Sequence, residues 1–292
     1  MHRRCFLHRG VLTLSALPWL TSHSCHASMA ETQSLASTKL GLLTDLHYAD
    51  KAEAGTRFYR ETLSKIDEAA NAFRTKKIDA LVELGDLIDA AKSPEEELKY
   101  LETIQHRLTR ISDQRHYVLG NHCVSTLTKE EFLKGIGRTE SYYSFDLGSH
   151  HFVVLDACFR SDGVAYGQNN FQWTDTAIPK VEVDWLKRDL AATQKPTIVF
   201  AHQRLDVSND HGVKNGGEIR SVLEGSTKVS TVFQGHSHKN DLRRIHGIDY
   251  VTLVAMVEGS GPENNGYSVL EIFDDGSIRL EGFRQQKAFS SP

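Results

Sequence analysis

Between residues 39 and 122 the hydrophobic and polar positions change register repeatedly, and each change marks an element. Residues 39–44 are a short apolar run that stops at Asp45-Leu46-His47 and gives way to a polar loop with Gly55. That predicts a strand followed by a loop. Residues 62–75 then place Leu63, Ile66, Ala70 and Phe73 at helical spacing, a stripe suited to lie on a sheet. A second apolar strand covers residues 78–84 and stops at Gly85-Asp86. Ser93-Pro94-Glu95 opens another helix, with serine as cap and proline in the first turn, and Leu98, Leu101, Leu108 and Ile111 supply its buried face. A third strand, residues 116–119, ends at Gly120-Asn121-His122. Strands and helices alternating in this way favour parallel strands joined by crossovers.

Past residue 140 the texture becomes strand-rich. Residues 141–145, 151–156, 197–201, 229–234, 249–255, 267–273 and 277–283 read as strands, several separated only by turns, and Asp274-Asp275-Gly276 is a hairpin signal. Residues 160–180 are polar, carry Gly163, Gly167 and aromatic side chains, and are expected to form a surface loop near the site. With no internal repeat, low-complexity segment or linker to divide it, the stretch from 31 to 292 is expected to be one domain with two sheets.

The first 30 residues have a different character. Arg3 and Arg4 precede Cys5-Phe6-Leu7, residues 10–20 are nearly uncharged, and small residues lead to Ser28-Met29-Ala30. This is the pattern of a cleavable export signal, and the paired arginines followed by x-Phe-Leu resemble the bacterial twin-arginine type, with His8 where a lysine is common. The apolar run is too short for a bilayer core of about 30 Å, so no membrane span is expected in the mature chain and a periplasmic or secreted location is. Cleavage would leave Cys123 and Cys158, both expected at one edge of a sheet. Whether they pair stays open: an oxidising compartment favours a disulfide, whereas folding in a reducing cytoplasm and the ordinary burial of free cysteine oppose it. The 292-residue chain carries a net charge of −4, with a pI near 6.4, so it offers no basic field for a nucleic-acid backbone or an anionic membrane.

Five strand ends carry metal-type ligands: Asp45 with His47, Asp86, Asn121 with His122, His202, and His236 with His238. Side chains two apart in an extended segment point the same way, so Asp45 and His47 can address one cavity, as can His236 and His238. A single histidine of the 15 is ordinarily a core or surface residue; five sets at successive strand ends are not explained that way. Nitrogen and oxygen donors of this kind suit zinc, manganese, iron or cobalt, and Asp86 has two oxygens with which to bridge two ions.

In order and spacing, Asp45-x-His47, Gly85-Asp86-x-x-Asp89, Gly120-Asn121-His122, His202 after an apolar strand, and Gly235-His236-x-His238 resemble the calcineurin-like metallophosphoesterase family. The resemblance spans roughly residues 39–283. It implies an α/β fold, a four-layer sandwich of two mixed β-sheets flanked by helices, and two metal ions (manganese, iron or zinc) that supply a bridging hydroxide to attack phosphorus in a small-molecule phosphate ester. Carried over residue by residue, it implies that Asp45, His47, Asp86 and His238 hold one ion and that Asp86, Asn121, His202 and His236 hold the other. His122 would stand beside the substrate, oriented by Asp89. Cys123 occupies a place where the family often has an acid, which is not one of those ligands. Asp89 stands where purple acid phosphatases have a tyrosine, so no purple iron chromophore is expected.

Asp45-Leu-His-Tyr-Ala-Asp50 followed by Arg57-Phe-Tyr-Arg60 also looks like the manganese-dependent ADP-ribose and CDP-alcohol diphosphatase branch, which commonly has glutamine at the place of His47. On that reading Arg57 or Arg60 would contact a phosphate and Tyr48 or Tyr59 a base, and a purine-sized aromatic pocket would lie beside the metals. The plainer expectation is that Phe58 and Tyr59 are core and the arginines belong to the surface of a helix start. A binding protein that has lost catalysis on this fold is the contrasting class. It would lack ligands, and none is missing.

Overall fold

The computed structural model describes residues 36–291; the leader assigned to residues 1–30 lies outside them. The chain begins with β1 (Thr38–Leu43), α1 (Thr62–Lys76), β2 (Ala80–Glu83), α2 (Pro94–Leu108) and β3 (Arg115–Tyr117), which is the alternation expected from the pattern. It continues with α3 (Lys129–Gly135), β4 (Tyr143–Leu147), β5 (His150–Val154), α4 (Lys180–Ala192), β6 (Thr197–Phe200), α5 (Gly216–Ser226), β7 (Val229–Gln234), β8 (Asp241–Ile245), β9 (Ile248–Thr252), β10 (Gly266–Ile272), β11 (Ile278–Arg284) and β12 (Phe289–Ser291). Helices α3, α4 and α5 and the two strands β8 and β12 were not among the sequence-based expectations.

The strands form two mixed six-stranded sheets, ordered β12-β11-β10-β1-β2-β3 and β4-β5-β6-β7-β9-β8. Within the first, β1, β2 and β3 are parallel; within the second, β5, β6, β7 and β9 are. Period-two alternation builds the layers. Leu40 and Leu42 of β1, Phe152 and Val154 of β5, and Ile198 and Phe200 of β6 pack together between the sheets. Their neighbours face outward: Leu43 and Leu81 join a core with Phe73 of α1 and Leu101 of α2, while Val153 and Val199 join one with Leu186 of α4 and Ile219 of α5. The result is helices, sheet, sheet, helices.

The caps follow local chemistry. Ser93 accepts from Glu96 N with Pro94 at the first position of α2, and Thr128 and Glu131 form a reciprocal capping box at α3. Among the described residues no helix is long and apolar enough to cross a membrane.

Cys123 and Cys158 are both free and buried, so the structure decides the open question against a disulfide. Each sulfur has a partner of its own: Cys123 Sγ accepts from Leu87 N at 3.4 Å, and Cys158 Sγ donates to Leu119 O at 3.5 Å and accepts from Gln203 at 3.4 Å. Thiol titration of protein denatured without reductant should therefore count both Cys123 and Cys158; protection of the pair would contradict the arrangement.

Candidate active site

The parallel strands of both sheets end at the same edge, the position where open α/β sheets leave a crevice for ligands. Asp45 and His47 follow β1, Asp86 and Asp89 follow β2, Asn121 and His122 follow β3, His202 follows β6, and His236 and His238 follow β7. Backbone bonds tie these ends together: Asp45 N donates to Gly85 O and His47 N to Asp86 O within the first sheet, while Val257 N donates from the end of the second sheet to Asp45 O.

Two glycines allow the approach. Gly85 sits at φ +102°, and a Cβ there would run into the His202 ring; one at Gly120 would run into the Asp86 backbone and carboxylate. Asp45, His47, Asp86, His236 and His238 are themselves left-handed, at φ +52°, +45°, +57°, +68° and +59°. That conformation costs of order 1–3 kcal/mol for a side chain larger than glycine and concentrates at functional sites.

Asp45 and His202 are fully buried and Asp86 nearly so. Around Asp45 Oδ1, His238 Nε2 stands at 3.3 Å and His47 Nε2 at 3.8 Å, and the two imidazole nitrogens face each other at 3.2 Å. Asp86 Oδ2 lies 3.1 Å from His202 Nε2 and 3.5 Å from His47 Nε2, so one carboxylate oxygen touches both groups. Asp45, His47 and His238 form one cluster of potential ligand atoms, Asp86, His202 and His236 a second, and His47 shares a third with Asp89 and His122. Donors sharing an ion at bond lengths of about 2.0–2.2 Å stand roughly 3–3.5 Å apart, and all of these distances but the 3.8 Å of His47 to Asp45 fall in that range.

The hydrogen bonds aim these donors. His202 Nδ1 donates to Leu84 O at 2.8 Å, His238 Nδ1 to Glu258 at 2.6 Å, and His47 Nδ1 to Asp89 at 3.1 Å, so all three rings turn Nε2 into the cavity. What faces inward is unpartnered: Asp45 Oδ1, Asn121 Oδ1, His202 Nε2 and His236 Nε2 are buried and make no hydrogen bond. Buried polar atoms without partners are costly. Two cations, one at the Asp45 cluster and one at the Asp86 cluster, would satisfy all of them, so the residues present fit a metal centre.

Protonation tells the same story. Burial would raise Asp45 and Asp86, but the surrounding histidines outweigh it and hold both carboxyls well below the usual range. Burial would lower His202 and His238; Asp86 and Asp45 respectively overcome it and push each to about 9. His236, desolvated and beside His202, is pushed down to about 3 and presents a neutral ring.

Asp89 lies beside this cavity as a hub. Its carboxylate accepts from His47, is 3.3 Å from His122 Nδ1, accepts from Lys51 at 3.0 Å and is 3.6 Å from Arg57. His122 also donates its backbone N–H to Asp86 Oδ1 at 2.7 Å, and its ring stands edge-on to His47. Burial alone would lower the His122 pKa; Asp86 and Asp89 overcome this and raise it.

Several other residues are placed differently. Tyr48 is turned into the core against Tyr100, because it bridges to Ile88 on the strand side of the loop; its assignment to the substrate is corrected. Tyr59 is likewise buried, with Lys51 over its ring, and Arg60 is occupied by Asp50 at the surface. Arg57 alone of these reaches the site. Lys51 and Glu258 were missed by sequence reasoning. Glu258 follows β9 at the same edge as the other ligands, a position that was available as a signal.

Glu258 is held by Lys65 of α1. The buried ammonium donates to the carbonyls of Met256, Glu258 and Gly259 at 2.8, 2.9 and 2.7 Å. Lys65→Met would strand three carbonyls and is expected to cost about 3 kcal/mol or more, read from urea unfolding. An unchanged midpoint would show that the turn does not depend on it.

Residues 38–240 match the calcineurin-like phosphoesterase family. The chain belongs to that family. This calcineurin-like phosphoesterase is a metal-dependent hydrolase by membership. It is 19% identical over 283 residues to a manganese-dependent ADP-ribose/CDP-alcohol diphosphatase of Arabidopsis thaliana, covering 80% of this chain and 91% of that one. It is 24% identical over 246 residues to a 3',5'-cyclic adenosine monophosphate phosphodiesterase of Haemophilus influenzae, covering 79% and 81%. Its fold matches a dimetal phosphatase from Danio rerio with TM-score 0.77 at 18% identity, over 87% of this chain and 98% of that one.

Proposed function

We propose that this phosphoesterase holds two metal ions in one cavity and hydrolyses phosphate esters of small molecules. The observation that carries the reading is the convergence of unpartnered, buried Asp45 Oδ1, Asn121 Oδ1, His202 Nε2 and His236 Nε2 around Asp86. Asp45, His47, Asp86 and His238 would hold one ion and Asp86, Asn121, His202 and His236 the other. Bound there, two cations supply charge neutralisation at phosphorus and a water acidic enough to react near neutral pH.

The chain's own residues do the rest. His122 stands at the rim with 26% of its side chain exposed and Nδ1 beside Asp89, so its Nε2 is free to hold a proton for the departing alkoxide. Asp89, 3.3 Å from its Nδ1, favours the protonated ring. The strand ends exclude bulk water from the interior, where Asp45, His47 and His202 are fully buried, and leave only the rim exposed.

Lys51 and Arg57 beside Asp89 favour a second reading in the same chemistry, cleavage of a phosphoanhydride in a nucleotide derivative, since a second phosphate would find two cations there. The relatives acting on ADP-ribose and CDP-alcohols support it. We further propose that the protein works in the periplasm or outside the cell, on the strength of the leader-like residues 1–30, with residues 31–292 as the working domain. Metal-reconstituted protein should be assayed on aryl phosphate mono- and diesters and on ADP-ribose. Turnover of at least one, abolished by chelation and restored by metal, is expected; inertness on all of them after metal loading would refute the reading.

A further inference from the structure

Trp173 is a large aromatic side chain left 43% exposed, whereas every other phenylalanine, tyrosine and tryptophan among the described residues is buried or half-buried. It does not face open surface. Its ring is 5.7 Å from that of His236 and 5.3 Å from that of His211, and it walls a cavity of about 570 Å³ that Asn121, His122, Ser125, Phe171 and Gln172 also line. The cavity therefore shares Asn121 and His122 with the phosphoryl site. Its size is within the usual range of about 300–1,000 Å³ for small-molecule pockets.

The loop that carries Trp173 is held in shape. Gln168 N donates to Leu127 O at 3.2 Å and Asn169 N to Ser125 O at 2.8 Å, which ties the loop to the segment following His122. Gln168 and Asn169 are both left-handed, at φ +51° and +60°. Inside the loop Tyr166 stacks on Phe171 at 4.2 Å and donates to Gln172 O at 3.2 Å. A loop braced by these contacts keeps an indole exposed beside a phosphoryl site, where it offers a stacking surface. Around it stand the amide of Gln172 and the hydroxyl of Ser125, groups that suit the mixed donors and acceptors of a heterocycle's edge.

We propose that this cavity seats a nucleobase on Trp173, so that the natural substrate is a nucleotide whose phosphorus sits at the strand ends. The proposal rests on the phosphoryl-site reading above. It places the base on the His236 side and leaves the bond cleaved to the chemistry of the strand ends. A planar base of either size stacks there, since every base has a π face.

The test uses metal-loaded protein and two ligands it cannot cleave, the carbon-linked 5'-phosphonates of adenosine and of ribose, with calorimetric dissociation constants for wild type, Trp173→Ala and Trp173→Phe. Base stacking predicts that the adenosine compound binds wild type about 5- to 150-fold more tightly than the ribose compound, that Trp173→Ala collapses this ratio towards one, and that Trp173→Phe keeps most of it. Equal affinities in wild type, or a preference that survives Trp173→Ala, would overturn the base seat. Failure of both ligands to bind would overturn it too. Hydrolysis of the aryl phosphate mono- and diesters and of ADP-ribose by the same preparation then separates the cases: activity on any of them leaves the phosphoryl site standing, and inactivity on all of them removes both.

Discussion

Asp86→Asn is expected to lose both metal ions and to lower turnover about a thousandfold or more, since the charge stabilisation a metal supplies is worth several kcal/mol. The reason is positional. Asp86 Oδ2 is the atom near both His202 and His47, the nearest members of the two donor groups, and its Oδ1 is already committed to the His122 N–H. An amide keeps the shape and one acceptor oxygen but removes the negative charge that two cations would share. Metal analysis of the purified variant, beside its far-ultraviolet circular dichroism, checks this. A folded Asp86→Asn protein that still carries two ions per chain would remove Asp86 from its bridging place.

His122→Ala is expected to behave in the opposite way towards metal. Its side chain contributes to neither donor group around Asp45 and Asp86, while its ring sits at the rim beside Asp89. Turnover should fall by about 10² to 10⁴, the usual worth of a positioned proton donor, with metal content still near two. The loss should be in kcat and greatest for substrates with a poor leaving group, because those need the proton most. Parallel loss of metal and activity would mean that His122 belongs to the metal shell.

Much of this centre was legible in the sequence because each ligand set follows an apolar run, three of them bounded by Gly85, Gly120 or Gly235. Asp86 after residues 78–84, and His236 after residues 229–234, could be placed at strand ends before any coordinates; β7 spans Val229–Gln234 as read. What escaped has physical causes. Strand β8 is an edge strand whose Leu242, Arg243 and Arg244 all face solvent, so it shows no alternation to detect. Helix α5 opens on Gly216-Gly217, which reads as a loop, and α4 buries only Val183, Leu186 and Leu190 beside Glu182, a narrow stripe.

Side-chain direction was the other blind spot. The pattern put Cys123 and Cys158 at one edge of a sheet; they follow β3 of the first sheet and β5 of the second. It did not say that their sulfurs would turn to Leu87 and Leu119, or that Tyr48, one residue beyond His47, would turn into the core. Nor does local pattern reveal a contact such as Lys65 with the turn of Glu258, made across 193 residues of chain.

The central claim is that one cavity holds two ions with Asp86 between them, and manganese makes that claim directly visible. Electron paramagnetic resonance of the protein titrated with manganese(II) should show, at two equivalents per chain, the broad multiline signal of an exchange-coupled pair, with the six-line signal of isolated ions minor. Persistent isolated-ion spectra up to two equivalents, or saturation at one, would contradict it.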